Sequence, residues 1–255
     1  MTSQPARFVV AVGSGKGGVG KSTVSLHIAL ALVRRGLSVG LLDADLYGPD
    51  IPLMVNLTRR ERARQWELWR QDGVRHEPVE RQGIRIMSVG FLLGERQALT
   101  MAAPLLTAAL RQLVENVEWG SPDVLLIDLP PGTADLQQQL FEVVRLDGAI
   151  VVVAPQDVAH LDARKFLDFL RDAGVAVLGG VENMSGLVCP HCGERVDVFP
   201  PVAEERSIWS EGVPALGRIA LDPELAAIDG LSAQSDAFAA VADRVIDALE
   251  RRSAA

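Results

Sequence analysis

Lysine is nearly absent from this chain: three stand against twenty-two arginines in 255 residues. Where charge alone is wanted the sequence writes arginine, so the places that keep a compact ammonium group carry information. Cysteine is scarcer still, with two residues, too few for a disulfide framework in a chain this long. Aromatic residues make up 5%, which leaves the core to Val, Leu, Ile and Ala. No apolar run approaches the ~20 residues that cross a bilayer. The opening MTSQPARFVV lacks the basic stretch, apolar core and cleavage site of a secretory signal, so a cytoplasmic location is expected. The net charge of −8 argues against non-specific binding of nucleic acid or anionic membrane. The Arg-dense segment Arg59–Arg70 is a local exception, read as a solvated helix face or, alternatively, a partner-docking surface.

β-like apolar runs alternate with helical patterns. Strands are expected at Phe8–Val12, Val39–Asp43, Ile84–Val89, Val124–Asp128, Ala149–Val153, Val175–Val181 and Ala215–Ile219. Helices are expected at Thr23–Arg34, Pro104–Val117, Leu136–Val144, Ala159–Ala173 and Ser235–Arg251. This alternation predicts an α/β class: a doubly wound, mostly parallel sheet with helices on both faces. No linker, repeat or low-complexity tract divides the chain, so one domain over 1–255 is expected. Ligands on such sheets bind beyond the carboxyl ends of the strands. Asp43, Asp128, Pro155 and Asn183 all fall at or just after such ends.

Two of the three lysines sit in one octapeptide, GKGGVGKS at Gly15 to Ser22. An apolar run precedes it and a helical pattern follows, the context that makes G-x-x-x-x-G-K-[ST] a phosphate-binding P-loop. Gly15, Lys16, Gly17, Gly18, Val19 and Gly20 would let backbone N–H groups converge on an anion. The first helical turn, through Thr23, adds its positive dipole end. Lys21 would neutralise the β- and γ-phosphates, and the Ser22 hydroxyl would ligate Mg²⁺. Lys16 is a second lysine that an ordinary P-loop does not need.

Asp43 ends a strand in DADLYGPDIP, and Asp45 follows in a turn-rich loop. A carboxylate there can orient or deprotonate a water for attack on a γ-phosphate; a turn-forming or capping Asp is the alternative for either residue. Asp128 ends four apolar residues in VLLIDLPPGTAD, the pattern of a Walker B carboxylate that holds Mg²⁺ through water. Pro130, Pro131 and Gly132 form a loop suited to sensing a γ-phosphate.

These motifs, in this order and followed by VENMSGLVCPHCG, resemble the Mrp/Nbp-type ATPases of the deviant-Walker-A class, which includes MinD, ParA and the nitrogenase iron protein. The resemblance runs from about Phe8 to about Asp229. It implies an ATP-dependent homodimeric carrier or scaffold that binds an iron–sulfur cluster and passes it to apo-proteins. It further implies that Lys16 is the signature lysine reaching the partner copy's nucleotide. Asp45 takes the switch I position, Asp128 the Walker B position, and Asn183 the position that reads the nucleotide base.

Cys189 and Cys192 have the spacing of a metal knuckle, on an excursion expected near 186–198. A zinc site or a [4Fe–4S] cluster wants four ligands, and only His27, His76, His160 and His191 are on hand to complete one. A two-fold dimer supplies four thiolates around one axis. Bridging cluster, bridging zinc, a redox pair and two free thiols are the readings open at this point. The chain departs from the family pattern at Asp50, and at Met101-Ala102-Ala103-Pro104 and over Phe199–Trp209; the last two bear on partner contacts and the cluster environment and leave the nucleotide site intact. Two other functions compete: a MinD/ParA-like positioning ATPase without a cluster, and a biosynthetic ATPase acting on a small molecule. MinD-like membrane attachment would want a basic amphipathic helix with large apolar residues at the end, whereas Ser235–Arg251 is followed by Arg252, Ser253 and two alanines.

Overall fold

A computed structural model of the chain describes residues 4–46, 48–57, 75–91, 103–132, 134–189, 191–200, 202–226 and 235–254. Arg59–Arg70, Met101 and Ala102 lie outside the described residues. The described residues contain ten strands: β1 Phe8–Gly13, β2 Val39–Asp43, β3 Val79–Arg81, β4 Ile84–Ser88, β5 Val124–Asp128, β6 Gly148–Val153, β7 Val177–Glu182, β8 Leu187–Val188, β9 Arg195–Val196 and β10 Ala215–Arg218. The helices are α1 Lys21–Arg34, α2 Ile51–Met54, α3 Ala103–Glu115, α4 Ala134–Val143, α5 Asp157–Asp172 and α6 Ser235–Ser253.

Eight strands form one sheet in the order β10-β7-β6-β1-β5-β2-β4-β3. Every pairing in it is parallel except β3 with β4. β1, β2, β5 and β6 are buried at every position, as unbroken apolar runs require when helices cover both faces. Parallel neighbours joined by helices cross over right-handed. The order runs one way from β1 to β2 and the other from β5 through β6 to β7, so α1 lies on one face and α4 and α5 on the other. Packing agrees: α1 meets α6, α3 meets α4, and Phe141 of α4 meets Phe169 of α5 with ring centroids 5.3 Å apart. The expected parallel α/β architecture is the one observed.

The sheet reverses direction beside β1, the strand that feeds the P-loop. Strand order of this kind opens a crevice at the carboxyl ends. β3 went unread in the sequence because it is three residues long and incompletely buried. Its one signal is Gln82-Gly83, whose φ angles of 51° and 78° make the two-residue turn that joins antiparallel strands.

Candidate nucleotide and metal site

Parallel register brings the strand-end carboxylates together. Asp43 is the direct neighbour of Asp128 across β2–β5, Val12 is its neighbour across β1–β5, and Ser88 is the neighbour of Asp43 across β2–β4. Three donors converge on Asp128: Lys21 Nζ at 2.7 Å and Ser22 Oγ at 2.7 Å, both on Oδ2, and Ser25 Oγ at 2.7 Å on Oδ1. Lys21 also lies 3.6 Å from Asp45. Burial alone would lower the Lys21 pKa, but the charges of Asp128, Asp45 and Asp43 and the hydrogen bond to Asp128 outweigh it and raise it. Lys21 is therefore held as a cation inside a carboxylate cage. Ser25 escaped sequence reading, although it stands three residues after Ser22 on the same helix, where side chains share a face.

Asp43 has different company. Ser88 donates to its Oδ2 at 2.8 Å and the Asp45 backbone N–H to its Oδ1 at 3.2 Å. Complete burial, then the charge of Asp128, push its pKa well above the ordinary carboxylate range. Asp43 braces the start of the next loop, where Asp45 accepts the Gly48 N–H at 3.2 Å.

The loop itself is an open cradle. A Cβ added at Gly17 or Gly18 would meet nothing within 4 Å, whereas one at Gly15 would lie 2.1 Å from the backbone carbonyl of Asp162. The first two face outward and Gly15 is pressed on α5. Gly20 has φ +79° and precedes a helix with no side-chain cap, so the first-turn N–H groups are left for an anion. A Cβ on Gly20 would meet Asn183 Nδ2 at 2.2 Å. That same amide donates to the Val19 carbonyl at 2.9 Å, so Asn183 abuts the P-loop. Lys16 is turned toward Gln156, with Nζ 3.3 Å from Oε1, a partner in its own chain but outside its own loop. Gly132 sits against the P-loop too, its added Cβ 3.8 Å from the Gly15 carbonyl oxygen. The residues present fit a nucleoside triphosphate with Mg²⁺: an N–H cradle, one buried cation, a hydroxyl and a carboxylate at its floor.

Six residues beyond Asn183 comes Cys189, within about 20 Å of extended chain. β8 and β9 pair antiparallel and form a hairpin outside the main sheet. Its turn is closed by Cys189 N–H to Glu194 O and Gly193 N–H to Cys189 O, each 2.9 Å. Cys189 is half-buried and Cys192 exposed. The backbone N–H of Cys192, then that of His191, then the Cys192 thiol, hold the Cys189 thiol below its ordinary pKa, which favours the thiolate a metal needs. Among the described residues no cluster of three or more His, Cys, Asp or Glu is placed to hold a metal ion. His27 stacks on Phe238 at 5.0 Å and reaches the Leu225 carbonyl, and His160 is buried on α5, so both serve the core. The thiol pair thus offers two ligand positions of the four that zinc or a four-iron cluster takes.

The sheet order, the glycine cradle and the carboxylates at its floor define a P-loop NTPase. Residues 6–247 match the family described as "ParA: NUBPL iron-transfer P-loop NTPase", and the chain belongs to it. It is 45% identical over 223 residues to the cytosolic Fe-S cluster assembly factor NUBP2 of Bos taurus, covering 86% of this chain and 81% of that protein. It is 42% identical over 227 residues to an iron-sulfur cluster carrier protein of Deinococcus radiodurans, covering 88% of this chain and 63% of that one. The chain spans less than two thirds of the length of that protein and of two further relatives. A solved nucleotide-binding protein in complex with ADP, from Archaeoglobus fulgidus, superimposes with TM-score 0.71 at 33% identity, covering 93% of this chain and 88% of that one. Solved MinD structures share the fold at 23% identity or less, which speaks for the fold alone.

Proposed function

We propose that this chain is an ATP-hydrolysing carrier that takes an iron–sulfur cluster, [4Fe–4S], as cargo between Cys189 and Cys192 of two copies and passes it to apo-proteins. The observation that carries this reading is the thiol pair at the exposed turn of a hairpin rooted directly behind the P-loop. The names of the relatives support it. A cluster held by two exposed ligands per subunit is accessible to an acceptor, which suits delivery better than electron storage. The chain acts as one P-loop domain with the cysteine excursion near 186–198, in the cytoplasm, without nucleic acid or membrane as partner.

In this reading the residues divide the work. Gly15 to Thr23 wrap the phosphates, and Lys21 exchanges part of its bond to Asp128 for phosphate oxygens. Ser22 and, through water, Asp128 would hold Mg²⁺, which would neutralise charge on the phosphates. Asp45 orients the attacking water. Lys16 leaves Gln156 and reaches the nucleotide of the partner copy, while Asn183 reads the base. The clearest test is anaerobic reconstitution with iron, sulfide and zinc assayed together; about one four-iron cluster per two chains is expected from four cysteine ligands per cluster. One zinc per dimer without sulfide would replace the carrier reading by a bridging structural zinc.

A further inference from the structure

The root of the cysteine hairpin is tied to the P-loop by a short chain of contacts. Asn183 holds the Val19 carbonyl at 2.9 Å and its amide packs against Gly20. Met184 follows with φ +59°, a left-handed conformation that non-glycine residues rarely adopt. Ser185 is then fixed from two sides: its N–H donates to the Ile219 carbonyl at 2.8 Å, and its hydroxyl to Glu182 Oε1 at 2.7 Å. Gly186 turns left-handed again, φ +78°, and the hairpin begins.

Arg195 closes the loop. It belongs to the returning strand β9, yet its Nη2 donates back to the Ser185 carbonyl at 2.8 Å and reaches Ser185 Oγ at 3.2 Å. A Cβ on Gly186 would lie 3.0 Å from Arg195 Nε and 3.1 Å from the Val196 carbonyl, so the hairpin's return is seated tightly on the turn. Leu221 holds the root from outside, its N–H donating to the Gly186 carbonyl at 2.8 Å and its backbone bridging Leu187. The Arg195 guanidinium ties the returning strand to the residue two places beyond Asn183.

We propose that Arg195 is a positioning residue that ties the orientation of the Cys189–Cys192 pair to the occupancy of the P-loop, acting through Ser185 and Asn183. This rests on the nucleotide-binding reading above. The Asn183 amide already holds Val19 through one N–H, and a base that engages its second N–H or its oxygen pulls on a group tied to the P-loop. That pull moves the turn at Met184, Ser185 follows, and Arg195 carries the motion to β9, which pairs with the strand leading into Cys189. Two sites coupled this way must each change the affinity of the other.

Thiol alkylation reads the hairpin without requiring a cluster. Metal-free protein is treated with iodoacetamide, with and without a non-hydrolysable ATP analogue, and labelling of Cys189 and Cys192 is followed by mass spectrometry. In the native sequence the analogue changes the rate at one or both cysteines by about fivefold or more. In Arg195→Ala the two rates agree within about twofold while affinity for the analogue stays within about twofold of the native value, since the coupling alone is lost. Arg195→Lys, which keeps a donor without the planar fork, retains part of the response. A merely structural role for Arg195 would shift both rates by one factor and preserve their ratio, and that result overturns the proposal. So does a native protein whose labelling is indifferent to nucleotide. Failure to take up a cluster, with nucleotide-dependent labelling intact, would sink the carrier reading and leave this coupling standing.

Discussion

Asp43 and Asp128 face each other in register at the carboxyl ends of β2 and β5, both without solvent exposure, and they bear opposite duties. Asp128 gathers an ammonium group and two hydroxyls. Asp43 receives one hydroxyl and one backbone N–H, and burial and its neighbour's charge oppose its ionisation. Two adjacent buried carboxylates resist being ionised together, and the raised pKa of Asp43 is the result.

That division has a pH signature. The folded-state pKa of Asp43 is raised above the ordinary value of 3.8, so its contribution to stability is complete below 3.8 and is lost as pH rises through the folded value. Asp43→Asn mimics the protonated form and removes that loss. The variant's melting temperature is expected to gain on the native protein's between pH 4 and pH 8. A constant difference across the range would show that Asp43 ionises freely.

His160 gives the opposite slope. Its Nδ1 accepts the Ile208 N–H at 3.2 Å, which places the ring proton on Nε2, 4.0 Å from Glu182. Burial first, and Arg164 after it, lower the pKa against the pull of Glu182 and Asp157. With a folded pKa below 6.5, stability is present above 6.5 and lost as pH falls through the folded value. His160→Gln should flatten that acid limb in thermal melts; an unchanged limb would place the proton uptake elsewhere.

The P-loop glycines should separate by geometry. Gly15→Ala drives a methyl into the Asp162 backbone, and overpacking of that kind costs about 1–3 kcal/mol. Gly17→Ala meets open space, so it should melt like the native protein and yet bind nucleotide more weakly, its methyl standing where phosphate oxygens would lie. Equal melting temperatures for the two variants would contradict this packing.

Hydrolysis and binding should divide among three charged residues. Lys21→Ala removes the buried cation and should lower nucleotide affinity. Lys16→Ala and Asp45→Ala should bind nearly as the native chain does and hydrolyse about 10²-fold more slowly, about 3 kcal/mol of transition-state stabilisation. Phosphate release and equilibrium binding on the three variants measure it. Native turnover in Lys16→Ala would remove the assignment to the second lysine.

Much of this site could be read from the chain because its residues are spaced along local elements. GKGGVGKS needs only a strand before and a helix after, and the apolar runs that end in Asp43 and Asp128 show their own strand ends. What could not be read depends on strand order. That Asp43 neighbours Asp128, and that Ser88 completes Asp43, follows from β5 and β4 flanking β2, which no local pattern encodes. Gln156 as the partner of Lys16 and Arg195 as the partner of Ser185 are likewise products of tertiary closure. The expected strand at Val175–Val181 is shifted to Val177–Glu182, since Val175 closes the preceding helix by donating to the Leu170 carbonyl. The short helix α2, from Ile51 to Met54, was hidden by the prolines that mark a turn.

The placement of β1 also has a consequence for biosynthesis. Its lateral partners are β5 and β6, both encoded far downstream, while its own successor β2 pairs elsewhere. On a ribosome adding about 5–20 residues per second, the segment Phe8–Gly13 waits unpaired until residues up to Asp128 have emerged, and lacks its second neighbour until Val153 has followed. An all-apolar strand left without neighbours for that interval is a ready target for holding chaperones. The phosphate loop behind it can take its final form only when more than half of the polypeptide has been made.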